Sequence, residues 1–436
     1  MKYISYFNQK KEVIQGIFFS LFCFFSNFSI SLQQIFYSLA FLIWTMDILI
    51  TNYSQSKKIN IKNIIFEAFK NFKKIEIFHY IFAWIIYRMF HVFISSDVSK
   101  EFQITKELLS ILMLPLIIYS IKNEKWVKFG FIFLLSSGFL TAIYNIFKII
   151  LLNENPFNLS FRAGAFDNVS PLTYTGTMAF SIFLGILVSL IYFQNQKQKQ
   201  LGIILLLFTL FSFFGFFLSG SKGGILAFIT TLVFLMIVFL KKKRILIIPL
   251  ILFFISFMIQ NLTRFQNLLV DELIHNKRSR GMSSSQRIFL WETGFRIYIN
   301  YPLFGTGEVE YKTIYQKYKD PNATDLAQKG SHMHNDFLDV LVRFGSIGFS
   351  IFIMFYLAPL ITFFRRMDDI LKSDDKWMLV FSIASILMMA LMGMTQCHFR
   401  DDEVQILFWL AVGLFYRYMR KLDDGFEKRK IESRQD

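Results

Sequence analysis

Apolar runs as long as a membrane-spanning helix are the feature that most constrains this chain. A helix needs roughly 20 mostly apolar residues to cross the hydrocarbon core of a bilayer. Such runs lie at residues 12–27, 30–50, 75–95, 104–121, 126–152, 171–193, 201–218, 222–240, 244–262, 336–364, 376–396 and 403–420. Since 54% of the residues are hydrophobic and 56 are phenylalanine, a soluble globular protein is excluded. We predict an all-α integral membrane protein with about twelve transmembrane helices.

The distribution of Lys and Arg tests this map, because cytoplasmic loops of membrane proteins carry an excess of both. The N-terminus, the C-terminus and every second connection together hold 29 Lys and Arg, whereas the short connections on the opposite side hold five. The map therefore predicts that both termini are cytoplasmic. It also explains the net charge of +16 without a nucleic-acid partner.

The predicted spans divide the chain into four parts. Residues 1–262 contain spans one to nine, residues 263–335 form one large loop outside the cytoplasm, residues 336–420 contain spans ten to twelve, and residues 421–436 form a cytoplasmic tail. Long loops cross the membrane largely regardless of their charge, so the basic residues of this loop are compatible with its position. Within the loop, serines from Ser283 onward precede an amphipathic stretch and predict a capped helix.

Two cations in this arrangement are candidates for binding an anion. Arg287 lies in the first turn of the predicted loop helix, where free backbone N–H groups and the helix dipole favour an anion. Lys222 is the single charge in the tight turn SGSKGG at 219–224, whose glycines let a ligand approach the backbone. The structural alternatives are a solvated arginine on an amphipathic helix and a lysine that reaches to the membrane interface.

Histidines gather in the stretch SHMHNDFLDVLVRFGSIGF at 331–349. His332, His334 and Asp336 lie at the predicted outer start of span ten, where a neutral imidazole suits proton abstraction near neutral pH. An acidic neighbour, Asp336 or Asp339, would orient the base. An interfacial polar cluster and a metal site are the alternatives. Asp339 and Arg343 are four residues apart, which predicts a structural ion pair along the helix.

Two further arginines belong to the same predicted membrane face. Arg88 lies near the outer end of span three, where a charged group needs a partner or a watery cavity. Arg162 opens the segment RAGAFDN before span six. Together with Lys222 and Arg287, these cations indicate an anionic ligand, with phosphate as the best match.

These motifs resemble those of the O-antigen ligase and polymerase family, bacterial inner-membrane enzymes that use glycans linked to undecaprenyl diphosphate. The matching residues are R-x3-W from Arg287 to Trp291, YPLFGTG at 301–307, and the HN-x2-L-x6-G-x2-G pattern that begins at His334. The turn SGSKGG departs from the family, which usually has an arginine where this chain has Lys222. The resemblance covers residues 160–350.

The resemblance implies a glycosyltransferase without a cofactor or a bound metal. Carried over to this chain, Arg287 and Lys222 hold the donor diphosphate, helped by Arg162 and Arg88, and His334 activates the acceptor hydroxyl, with His332 and Asp336 in support. The implied donor is a glycan on undecaprenyl diphosphate and the implied acceptor is lipid A-core. Because this chain has Lys222 where the family usually has an arginine, a point charge takes the place of a bidentate phosphate contact.

Four activities remain open at this point. The compact loop with its histidine motif favours an O-antigen ligase, while an O-antigen polymerase or a protein glycosyltransferase would use the same donor. A twelve-span transporter or flippase is the alternative of a different class. Such transporters are commonly built from two equivalent halves, and a long loop between spans nine and ten breaks that symmetry.

Overall fold

The structure is a computed structural model, and it describes residues 2–27, 29–56, 62, 72–73, 75–151, 171–193, 198–219, 221–239, 283–321, 323 and 325–432. Helices make up nearly all of this part, and no strand occurs in it. The helices are α1 (Lys2–Phe25), α2 (Ile30–Ser56), α3 (Ile77–Ile94), α4 (Val98–Ser120), α5 (Glu124–Leu151), α6 (Pro171–Phe193), α7 (Lys199–Leu218), α8 (Lys222–Phe239), α9 (Ser283–Asn300), α10 (Glu308–Tyr318), α11 (Asp325–Lys329), α12 (Asp336–Arg365), α13 (Met367–Lys372), α14 (Lys376–Gly393) and α15 (Asp402–Glu432).

Eight helices in the described residues are long and apolar enough to cross a membrane, which confirms a multi-pass helical membrane protein. They lie in α2, α3, α4, α5, α6, α7, α12 and α14. Three more predicted spans coincide with α1, α8 and α15, and the predicted span 244–262 lies outside the described residues. The total of twelve spans and the position of the large loop therefore stay predictions.

Helix α15 forms the centre of the bundle. Its residues from Glu403 to Tyr416 are all buried, and Trp409 has no exposed surface. A helix that is apolar and buried on every side is one surrounded by other helices. By contrast, α2 and α7 expose large apolar side chains such as Leu42 and Leu210, as expected of helices that face lipid.

The fourth predicted span is less regular than its apolar sequence suggested. It begins as an α-helix, continues as a 3₁₀-helix over Thr105–Leu112 and ends as a π-helix over Leu116–Ser120. Pro115 has no N–H group and its ring crowds the preceding turn. The hydroxyl groups of Thr105 and Ser110 bond backbone carbonyls three residues earlier, and such local bonds compete with the regular helical pattern.

Helix α12 is broken at Gly345, so the tenth predicted span is not one continuous helix. Gly345 has φ 62° and ψ −169°, a conformation that is essentially restricted to glycine. The loop 302–307 fills the break: Thr306 and Gly307 donate to the carbonyls of Val342 and Arg343 at 3.0 and 2.8 Å. On the other side of the break, the N–H of Ser346 donates to the carbonyl of Pro302 at 2.8 Å.

The two glycine-containing motifs therefore interlock. A Cβ at Gly305 would lie 2.4 Å from the carbonyl carbon of Arg343, and a Cβ at Gly345 would lie 2.2 Å from the carbonyl oxygen of Leu303. Both glycines have positive φ. The backbone groups left free by the broken helix are thus satisfied by the loop, which joins α9 and α10 to the first half of α12.

Candidate active site

A small second core lies beside the main bundle and carries the candidate site. It is built from α9, α10, α11 and the start of α12, with Leu290, Tyr315, Met333 and Val342 fully buried. Trp291 of α9 donates its indole N–H to the carbonyl oxygen of Met333 at 3.0 Å. The R-x3-W spacing places Arg287 one turn before Trp291 on the same helix face, which brings it toward the histidine segment.

His334 has a backbone conformation that side chains rarely adopt. Its φ is 48°, and no other non-glycine residue in the described part of the chain has a positive φ. A left-handed conformation costs about 1–2 kcal/mol for most residues and persists only where the surroundings enforce it. Such strain is concentrated at functional sites, which draws attention to His334 independently of its chemistry.

Three hydrogen bonds hold the segment just before His334. Met333 donates its N–H to Oδ1 of Asp339 at 3.0 Å and accepts the indole N–H of Trp291. Ser331 offers its carbonyl oxygen to the guanidinium of Arg343 at 2.9 Å. Because the segment is bonded from both α9 and α12, it is held in place while His334 takes the unfavourable φ.

The imidazole of His334 is buried and bonded to Gln396. Its Nδ1 lies 2.5 Å from Oε1 of Gln396. An amide oxygen only accepts hydrogen bonds, so this geometry assigns the proton to Nδ1 and leaves a lone pair on Nε2. Burial lowers the pKa of His334, and the positive charge of Arg287 lowers it further against the opposing effect of Gln396. His334 is therefore neutral at neutral pH, as a general base requires.

His332 is the neighbour of His334 and has a different environment. The two rings are 4.2 Å apart between centroids, and Nδ1 of His332 lies 3.2 Å from the hydroxyl of Ser331. Burial, followed by the adjacent His334, lowers the pKa of His332 to about 4. In the part of the chain that the structure describes, no group of three or more His, Cys, Asp or Glu is placed to hold a metal ion.

The two acidic residues considered as orienting groups for the histidine have other contacts. Asp336 accepts the backbone N–H of Phe399 at 2.9 Å through Oδ1. Asp339 bonds Met333 and Arg343, so the predicted pair of Asp339 with Arg343 is confirmed, with Nε and Oδ2 2.9 Å apart. In this structure the side chain bonded to the imidazole is that of Gln396, and the supporting role of Asp336 stays a prediction.

A buried charge network, formed by Glu308, Asp339, Arg343 and Arg400, supports the site. Arg343 lies 2.6 Å from Glu308, and Arg400 lies 3.0 Å from Glu308 and 3.3 Å from Asp339. The guanidinium of Arg343 also stacks on Tyr311 at 3.6 Å from the ring centroid. Burial alone would raise the pKa of Glu308, but the charges of Arg343 and Arg400 lower it well below its usual range, so the carboxylate stays ionised.

The structure groups Arg88 with this network. Arg88 is 3% exposed, and its guanidinium lies over the ring of Phe344 at 4.5 Å. Together with Glu107, Glu308 and Arg400 it lines a cavity of about 30 Å³. That volume holds a water molecule or two. Arg88 thus lies near the network in this structure, and its contact with a diphosphate stays a prediction.

Lys222 begins α8, close to the loop that holds Gln396. The next residue, Gly223, packs on Thr395 so tightly that an added Cβ would lie 2.0 Å from the Thr395 hydroxyl oxygen. Thr395 directly precedes Gln396, so the start of α8 and the histidine partner are neighbours. The side chain of Lys222 and all of Arg162 lie outside the described residues.

In the described residues, the fold and site define an all-helical, multi-pass membrane protein with a buried, neutral histidine just before a broken helix. Residues 205–353 match the family model described as O-antigen ligase. The match confirms the resemblance seen in the sequence motifs and supports the O-antigen ligase or polymerase family in general. Comparison with curated proteins found no match.

The matched residues include most of the candidate site. They contain α8 with Lys222, α9 with Arg287, the loop 302–307 and His334. Gln396 and Arg400 lie beyond the end of the match and were missed by sequence reasoning. Both belong to MTQCHFRD at 394–401, a polar connection between two apolar runs, and that polarity was the available signal.

Proposed function

We propose that this protein is an O-antigen ligase that transfers a glycan from undecaprenyl diphosphate to lipid A-core on the periplasmic face of the bacterial inner membrane. The proposal includes twelve spans, cytoplasmic termini and a periplasmic loop over residues 263–335. One observation carries it: His334, held in a left-handed conformation and bonded through Nδ1 to Gln396, has a neutral imidazole whose pKa is lowered by burial and by the charge of Arg287.

The proposed reaction needs one base and a cationic surface. Nε2 of His334 takes the proton from an acceptor hydroxyl while the hydroxyl oxygen forms a bond to the anomeric carbon of the donor glycan. The bond from that carbon to the diphosphate oxygen breaks, and undecaprenyl diphosphate leaves with the electron pair. Because diphosphate is a good leaving group, positive side chains that stabilise its charge are sufficient, and the step requires no metal ion or cofactor.

The donor diphosphate is assigned to Arg287 and Lys222, with Arg162 and Arg88 as further cations. Arg287 lies in the first turn of α9, and Lys222 starts α8 beside the loop of Gln396. Helix N-termini favour anions, so both positions combine a dipole with a side-chain charge. His332 is assigned a supporting role next to His334.

The acceptor separates a ligase from a polymerase, because both release the same lipid diphosphate. Purified protein would be given a lipid-linked glycan together with either lipid A-core or a second lipid-linked repeat. We expect transfer to lipid A-core. Extension of the lipid-linked repeat instead would make the protein a polymerase, and absence of both reactions with intact donor would contradict glycan transfer.

A cell lacking the gene provides the second test. We expect long polymer to remain on the lipid carrier while lipid A-core stays bare. Lipid A-core capped with a single repeat would overturn the ligase assignment and favour a polymerase.

A further inference from the structure

One face of α9 is apolar and exposed. Ile288, Phe295 and Ile299 are 36%, 53% and 74% exposed, and their spacing of seven and four residues places them in one line along the helix. The following loop adds Leu303 and Phe304, which are also exposed. We call these five residues the apolar stripe.

The apolar stripe continues a surface that faces lipid. The ring of Phe304 lies 5.5 Å from that of Phe90 on α3, and α3 is one of the membrane spans. Phe90, Phe93 and Ile94 at the end of α3 are themselves exposed. Exposed apolar side chains therefore lie at the end of a membrane span, on the loop residue in contact with that span, and on α9.

We propose that the apolar stripe lies in the outer surface of the membrane, so that α9 is an interfacial helix seated on lipid. The charged residues Glu292 and Arg296 lie along one side of the stripe, and polar residues border the apolar face in helices that lie in a membrane interface. Arg287 directly precedes Ile288 in α9. With α9 on the lipid surface, the guanidinium of Arg287 lies at the depth of the lipid headgroups. The proposal concerns the lipid surface and stands independently of the transfer reaction.

Spin labels on the full chain in vesicles of phosphatidylethanolamine and phosphatidylglycerol test this placement. Cysteines would be introduced singly at Phe295 and Ile299, with Thr313 on the polar, exposed surface of α10 as the control; the native cysteines are buried. We expect the two labels on α9 to collide with oxygen more often than with a water-soluble nickel chelate, and the label at Thr313 to show the reverse. The proposal would be overturned if labels at Phe295 and Ile299 collided with the nickel chelate as often as the label at Thr313. It would also be overturned if a label on a second copy of the chain broadened their spectra.

A second inference concerns Gln396 and follows from different contacts. Its loop is fixed at three points: Asn335 donates to the carbonyl of Met394 at 3.1 Å, Asp336 accepts from Phe399, and Thr395 packs on Gly223. Gln396 is itself 8% exposed. A rigid loop of this kind presents the amide oxygen to Nδ1 of His334 in one position.

We propose that Gln396 is a positioning residue that fixes the tautomer of His334. This inference rests on the proposed role of His334 as base. By accepting a hydrogen bond from Nδ1–H, the amide keeps Nε2 unprotonated. A neutral amide also leaves the imidazole uncharged at neutral pH, whereas a carboxylate would raise its pKa. The other charged or titratable groups that act on the imidazole are Arg287, His332, Asp339 and Asp401.

Two substitutions test this role. Gln396→Leu removes the acceptor, and we expect transfer to fall by about 10²-fold with donor binding unchanged. Gln396→Glu keeps an acceptor oxygen and adds a negative charge, which raises the pKa of His334. We therefore expect activity to persist, while the decline of the transfer rate at low pH moves to higher pH by about one unit or more.

The outcomes separate this inference from the proposed function. An inactive His334→Ala protein together with a fully active Gln396→Leu protein, or an unshifted pH profile in Gln396→Glu, would overturn the role of Gln396 alone. A fully active His334→Ala protein would overturn the proposed base. Thermal unfolding of each variant shows whether a loss reflects folding, and Gln396→Glu keeps the test decisive if Gln396→Leu does not fold.

Discussion

Substitution of Gly345 by alanine tests the interlock that joins the loop to the broken helix. The backbone of Gly345, at φ 62° and ψ −169°, lies in a region where a side chain costs about 1–3 kcal/mol. The added Cβ would also lie 2.2 Å from the carbonyl oxygen of Leu303, so the loop must move. Each hydrogen bond lost between loop and helix adds about 0.5–1.5 kcal/mol. We therefore expect Gly345→Ala to destabilise the protein by about 2–5 kcal/mol.

The same substitution should impair activity beyond its effect on stability. The loop leads from α9 to α10, so its movement shifts Arg287 relative to His334. A displacement of about 1 Å in a catalytic site can lower the rate by roughly 10²-fold. Thermal unfolding in detergent and the rate of glycan transfer at a temperature where the variant is folded would measure both effects.

Gly425→Ala is the matched control for this substitution. A Cβ at Gly425 meets no atom within 4 Å, and alanine favours a helix over glycine by about 1 kcal/mol. We expect this variant to be at least as stable as the natural protein and equally active. If the Gly345→Ala protein has the same unfolding temperature and the same rate of glycan transfer as the unsubstituted protein, the interlock has no part in holding the site.

Three further predictions address charge and pH. Arg287→Ala should weaken use of the donor far more than Arg296→Ala on the exposed side of the same helix, as measured by the dependence of the transfer rate on donor concentration. Equal losses would mean that Arg287 contributes only to the overall charge of the loop. Lys222→Arg should keep or raise activity while Lys222→Ala lowers it, and a fully active Lys222→Ala protein would remove this residue from the site. Because burial lowers the pKa of His334 below its ordinary value and the neutral form is the base, the transfer rate should hold as pH falls through about 6.5 and decline only at lower pH; a decline that begins well above pH 6.5 would contradict the role of a buried neutral histidine.

The membrane class and the identity of the histidine segment could be read from the sequence, because each depends on a local pattern. Apolar runs of spanning length predict the helices one by one, and the spacing of Asp339 and Arg343 predicts a pair within one helix. The R-x3-W motif likewise places Arg287 and Trp291 on one helix face. These predictions need no knowledge of how distant segments meet.

Contacts between distant segments escaped sequence reasoning. Gln396 is 62 residues from His334, and Glu308 and Arg400 are 92 residues apart. Each of these residues is polar in a polar connection, so its sequence context gives no sign that the structure buries it. The break at Gly345 was hidden for a related reason: it lies inside a mostly apolar run of spanning length, and the loop at 302–307 that satisfies the interrupted helix is distant in sequence.

The most direct test of the proposed chemistry compares His334→Ala with His332→Ala in a purified transfer assay with separately measured donor binding. General-base catalysis contributes roughly 10² to 10⁴-fold, so we predict that His334→Ala loses transfer by that factor and still binds the lipid-linked donor, while His332→Ala keeps most of the activity. Equal losses in both variants, or loss of natural activity on treatment with a chelator, would contradict a single histidine base and favour a metal site.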